Sequence, residues 1–305
     1  MSTPAAIQQS APSSALRRLV ARHPVAAFLV MVYAVNIAIA LPAVRTQLPS
    51  LPFHLVDSML AHILGIAVPA FLVVAAMHGW AGVRDLTRRC LRWRVRPQWY
   101  LVALLGVPIG VLVCASAIFG LAGLRALVAQ WPLLVTVVVP QLLLFIVFSN
   151  GPEEIGWMGF LQARLQERHG PLKASLIVTL PFALYHLPGL MVDEGFGLAQ
   201  LPLALAELGV IAILQLFGRV VMMWLYNTTN HSVLLVGMFH SAFNVTTQPE
   251  FGAFIPAPAG TGTLIASGVV AVAAVLIVVF TRGRLSYKPN HVSQIADAPL
   301  ARGET

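Results

Sequence analysis

The stretch Gly151-Pro152-Glu153-Glu154-Ile155-Gly156-Trp157-Met158-Gly159 sets two adjacent carboxylates inside a run that is otherwise almost continuous hydrocarbon. A charge at that depth costs about 2.5–3.5 kcal/mol even on the lenient insertion scale. Only 11 of the 305 residues are acidic, and two of them stand here side by side. One reading is structural: Pro152 occupies the first position of a helix and the acids fill its first turn, where the helix dipole favours negative charge. The other is chemical, and the pattern downstream favours it.

Working outward, the chain is 58% hydrophobic and 10% charged, with mean hydropathy +0.82. Soluble domains carry about 25% charged residues, so the expected class is an all-α, polytopic transmembrane bundle. The +8 net charge is nearly all arginine. Its one-sided distribution, set out below, points to topology and anionic lipid as the partner and not to nucleic acid. Cys90 and Cys114 form neither a pair nor a metal spacing.

Residues 1–16 read as a disordered tail, 17–285 as a single membrane-embedded domain with its motif core at 151–245, and 286–305 as a second disordered tail. The first apolar run, Pro24 to Val44, is too long for a signal-peptide core and reads as a retained span. Further spans are expected near 57–78, 99–120, 132–150, 172–190, 201–226, 232–248 and 262–281, eight in all. Arg84, Arg88, Arg89, Arg92, Arg94 and Arg96, interleaved with Leu86, Leu91, Trp93 and Trp99, read as an interfacial cytoplasmic segment. With both termini inside, 16 of the 19 basic residues fall on the cytoplasmic side. Arg45 and Arg125 fall outside, and Arg219 lies within a span. A multi-pass plasma-membrane protein is the expectation.

After the acidic pair, an amphipathic run ends at His169-Gly170-Pro171, a helix stop followed by a helix start. Glu153 lies 17 residues before Gly170 and His186 lies 16 after it. In an antiparallel hairpin each arm is about 24 Å long at 1.5 Å per residue, so carboxylate and imidazole should end level with each other. The fourth helix should then be long and broken at Gly151-Pro152, with its charged end leaving the bilayer. Pro181 should free backbone carbonyls near His186. His240 and Asn244, four apart, share a helix face in the seventh span. His62 and His78 have no partner at helical spacing, His54 falls in an outer loop, and Trp157 and Tyr185 read as packing aromatics.

The order Glu153-Glu154, Phe182-x-x-x-His186, His240-x-x-x-Asn244 on successive membrane helices resembles the CPBP family of intramembrane proteases, which includes the CaaX-processing endopeptidases and bacteriocin-processing or abortive-infection relatives. The resemblance implies that Glu153 is the catalytic glutamate, Glu154 its partner, His186 the second-motif histidine, and His240 and Asn244 the third-motif pair. One position departs. The family's first motif usually reads Glu-Glu-x-x-x-Arg, and Met158 stands where the arginine is expected. One carboxylate thereby loses a nearby cation, which leaves three options: protonation, pairing with His186, or a more distant arginine such as Arg164.

The residue types suit peptide hydrolysis in a membrane-associated substrate, with the prenylated CaaX type one candidate. No nucleophilic-serine motif or His-Glu-x-x-His is present. The favoured chemistry has Glu153 and His186 activating a water while His240 and Asn244 donate to the oxyanion. The alternative is one zinc ion held by Glu153, His186 and His240, with an open position for water. A proton-coupled transporter and a catalytically impaired scaffold are the readings from other classes.

Overall fold

Apolar segments of this length satisfy their backbone in hydrocarbon by forming helices, and the computed structural model, which describes residues 15–40, 59–193, 199 and 201–289, is helical throughout with no strand among the described residues. The helices are α1 (Ala15–Arg22), α2 (Pro24–Ala40), α3 (Met59–Cys90), α4 (Gln98–Phe119), α5 (Ala122–Ala129), α6 (Trp131–His169), α7 (Pro171–Met191), α8 (Leu201–Thr228), α9 (Val233–Thr246), α10 (Pro249–Gly252) and α11 (Thr261–Thr281). The expected tails fall largely on 1–14 and 290–305, outside the described residues, as do Arg45, His54 and the end of the first expected span.

Among the described residues, α3, α4, α6, α7, α8 and α11 are long and apolar enough to cross a bilayer. A seventh span results if α1 and α2, bent by 103° to each other, are taken together. The bend lays the arginine-bearing α1 against α3, where Arg17 Nε donates to the Ala76 carbonyl at 3.2 Å. The expected seventh span, α9, has only 14 residues, short of the roughly 20 that a lipid-facing span needs. It is buried along most of its length against α4, α6 and α8. A helix sheathed by its neighbours need not match the bilayer.

α6 runs between two apolar clusters. Met158 belongs to the one built by α4, α8, α9 and α11, while Trp157, Phe160 and Leu161 belong to the one built by α2, α3 and α7. Gly156 to Gln162 are all buried, as expected of a helix that is apolar all round. The helix breaks at Ser149 (φ −120°, ψ −92°), just ahead of the expected Gly151-Pro152. The reason is steric: Pro152 has no N–H to give and its ring would strike the carbonyl four residues back, so the irregular residue must precede it. From Ile155 to Gln162 the helix is π-wound, a form frequent at functional sites.

Two glycine positions set how the elements meet. A Cβ on Gly151 would lie 1.9 Å from the Ile146 carbonyl, and one on Gly237 would lie 2.9 Å from the Gly151 Cα. α6 and α9 therefore cross backbone to backbone, as small residues permit between membrane helices. At the far end of α6, Gly170 turns the chain with φ +76°, a conformation open to glycine at no steric cost, and Pro171 starts α7.

At the end of α3, Arg89 donates to the π-wound segment through Nη1, 2.8 Å from the Gly159 carbonyl and 2.9 Å from Tyr226 Oη. Its Nε meets Asp85 at 3.0 Å. The Tyr226 ring packs on His231, whose imidazole is held below its ordinary pKa by burial and by Arg89 and Arg92.

Candidate active site

The crossing of α6 and α9 brings the acidic pair to His240. Glu153 and Glu154 follow Gly151 by two and three residues, and His240 follows Gly237 by one turn. His240 Nδ1 lies 2.8 Å from Glu154 Oε1 and 3.6 Å from Glu153 Oε2. All three side chains are buried.

Glu154 is fully committed. Arg219, from the middle of α8, meets it in a two-pronged pair: Nη1 to Oε2 and Nη2 to Oε1, both at 2.8 Å. Each partner is 0% exposed, so each charge lets the other stay buried at tolerable cost. The guanidinium also lies over the Phe182 ring, with Cζ 4.1 Å from its centre. Gln162 Nε2 bridges Ser175 Oγ at 2.9 Å and the Arg219 carbonyl at 3.2 Å, fixing α6, α7 and α8 at this level.

Glu153 is held differently. Asn150 Nδ2 donates to its Oε2 at 3.3 Å, and His62 Nε2 from α3 stands 4.0 Å from the same oxygen. The other oxygen, Oε1, is buried with no hydrogen-bond partner. The other ring nitrogen of His62, Nδ1, is 3.1 Å from Ser149 Oγ, at the break in α6.

His186 reaches this group through Phe182. Its Nδ1 donates to the Phe182 carbonyl at 3.0 Å, which leaves Nε2 as the nitrogen open to chemistry. The Phe182 ring lies 5.0 Å from the His186 ring and 6.2 Å from that of His240, with Arg219 on it as well. Carbonyls at this end of α7 are taken up from α2: Tyr33 Oη donates to Pro181 O at 2.9 Å and Asn36 Nδ2 to Tyr185 O at 2.5 Å. Asn244 lies one turn beyond His240, half-buried, and among the described residues no hydrogen bond joins its side chain to a glutamate or a histidine. Trp157 is core, edge-on to Phe28, Phe182 and Tyr185.

Sequence reasoning missed Arg219 and His62. The cation for the acidic pair comes from α8, not from Arg164, and one of the histidines set aside for want of a helical-spacing partner faces Glu153 across the bundle. The usable signal for Arg219 was its solitude: an arginine within an apolar span must face a buried partner.

Residues 135–246 match the family model described as type II CAAX prenyl endopeptidase, Rce1-like. Over this stretch the chain is similar to that family. No curated protein matches it. The matched region carries Glu153, Glu154, His186, Arg219, His240 and Asn244, whereas His62 enters from α3, outside it.

Among the described residues, Glu153, Glu154 and His240 could each offer a metal one ligand atom, all within 4.8 Å of one another. This compact set contains Glu154 and not His186. Both Glu154 oxygens already accept from a guanidinium, so a divalent cation would share its ligand with Arg219. The donors fit such an ion poorly.

Proposed function

We propose that this integral membrane protein is an intramembrane endopeptidase that hydrolyses a peptide bond in a membrane-associated substrate, of the prenylated CaaX class toward which the Rce1-like match points. The observation that carries the reading is the division between the two glutamates. Glu154 is locked by Arg219, while Glu153 keeps one buried oxygen, Oε1, without a partner, its Oε2 facing Asn150, His62 and His240.

In this reading Glu153 Oε1 takes a proton from water, with Nε2 of His186 as the second acceptor. The hydroxide attacks the scissile carbonyl carbon, and the proton passes to the leaving amine as the C–N bond breaks. His240 and Asn244 donate to the tetrahedral oxyanion. Nδ1–H of His240 donates to Glu154, so the atom that donates to the oxyanion is Nε2, with both ring nitrogens carrying a proton at that step. The surrounding apolar helices keep bulk water out, which strengthens each of these contacts. No step runs through a metal.

The test is cleavage of a fluorogenic farnesylated CaaX peptide by the purified full-length protein, with bound metal measured in parallel. Glu153→Gln, nearly isosteric but not basic, should abolish turnover while leaving the fold intact; a general base contributes about 10²–10⁴-fold. Asn244→Ala should lose about 10²–10³-fold. Turnover unaffected by Glu153→Gln would defeat the assignment. One equivalent of bound metal, lost together with activity on chelation and restored by zinc, would replace this chemistry with the metal-dependent form.

A further inference from the structure

The arginine that the Glu-Glu-x-x-x-Arg pattern would put at position 158 is absent, yet Glu154 is not short of a cation. We propose that Arg219 of α8 performs that arginine's task from another helix, as a positioning residue that acts through Glu154 on His240. The proposal rests on the reading of Glu154 as partner to the catalytic base.

Position 158 and Arg219 address the same space. Glu154 precedes Met158 by four residues and Gln162 follows it by four, so the three lie along one side of α6. Both outer members bind Arg219: Glu154 through the guanidinium and Gln162 through the main-chain carbonyl. Met158, between them, is fully buried and shares its apolar cluster with Val220 to Met223, the residues that follow Arg219. An arginine at 158 would reach back one turn along its own helix, whereas Arg219 reaches across the gap from α8. Either source brings one guanidinium to one carboxylate in a place closed to bulk solvent, and an apolar residue fills the other position.

The relocated pair does more than neutralise. Its two contacts fix the plane of the Glu154 carboxylate, and one of the same oxygens accepts from His240 Nδ1. That contact sets which nitrogen of His240 faces the reaction. Lysine could supply the charge but not the fork.

The experiment exchanges the two side chains. Full-length protein in detergent is measured for thermal midpoint and for turnover of the farnesylated CaaX peptide. Arg219→Met should lose about 10–100-fold in turnover, the scale of removing an orienting partner, and should melt lower. The exchange variant Arg219→Met with Met158→Arg, which keeps both side chains, should regain at least tenfold of that turnover and most of the midpoint. Arg219→Lys should recover only part. Arg219→Met with Glu154→Gln, which removes the unpaired charge, should regain midpoint without turnover. If Arg219→Met does not fold, a folded exchange variant supports the proposal. An exchange no better than Arg219→Met, or an Arg219→Met equal to the parent, overturns it. A parent that leaves the peptide uncut counts against the protease reading alone, and recovery of the midpoint by the exchange still decides the relocation.

Discussion

Adjacent side chains leave a helix about 100° apart, and that angle is enough to give neighbouring glutamates different chemistry. Glu153 turns toward His62 of α3, and Glu154 toward Arg219 of α8. His62 has its second nitrogen at Ser149, so it ties the Glu153 carboxylate to the break in α6. Replacing His62 by Ala should lower kcat for the CaaX peptide by about 10–100-fold, the scale for a lost orienting partner, with little change in KM. An unchanged kcat would reduce His62 to packing. Glu153, Glu154, His186 and His240 were legible in the sequence because paired acids and helically spaced polar groups are conspicuous against hydrocarbon. His62 was not: its contact at Ser149 lies 87 residues away, and no periodicity reports a contact between separate helices.

At the scale of elements, the site depends on how closely α6 and α9 approach. Gly237 faces the Gly151 backbone, which cannot swing aside as a side chain could. Gly237→Ala should therefore cost about 1–3 kcal/mol, the usual penalty of overpacking, and should depress turnover because His240 rides one turn along the same helix. A thermal midpoint and rate equal to the parent's would mean that the crossing tolerates a methyl group. Proline and glycine announced the break in α6, and the proline ring puts the irregular angle ahead of them at Ser149, but the π-winding that follows, between two packed clusters, has no local signal. A short apolar run reads alike as a lipid-facing span and as a sheathed one, which is why the sequence marks α9 as a span without showing that α4, α6 and α8 enclose it.

For the molecule as a whole, the basic residues predict an orientation. With both termini and the Arg84–Arg96 segment cytoplasmic, 16 of 19 lie inside, and the site should open to the cytosol. Reporter fusions or cysteine labelling near Arg92 should give a cytoplasmic signal; a signal from the opposite side would invert the bundle and its substrate access. The bend between α1 and α2 suits this arrangement, since it lets Arg17, Arg18 and Arg22 lie along a leaflet and not within it.

Synthesis proceeds from α1 to α11, so Glu154 is delivered to the bilayer 65 residues ahead of the guanidinium that neutralises it. α8 in turn arrives with an arginine that costs about 2.5–3.5 kcal/mol to insert alone, in the middle of a 28-residue helix whose other charged residue, Glu207, lies in its first two turns. Lipid tolerates the two charges together far better than either apart. Correct assembly of α6 with α8 is thus a condition of comfortable residence in the membrane, and a chain in which the two helices fail to meet displays a mismatched acid and base that cellular quality control can recognise.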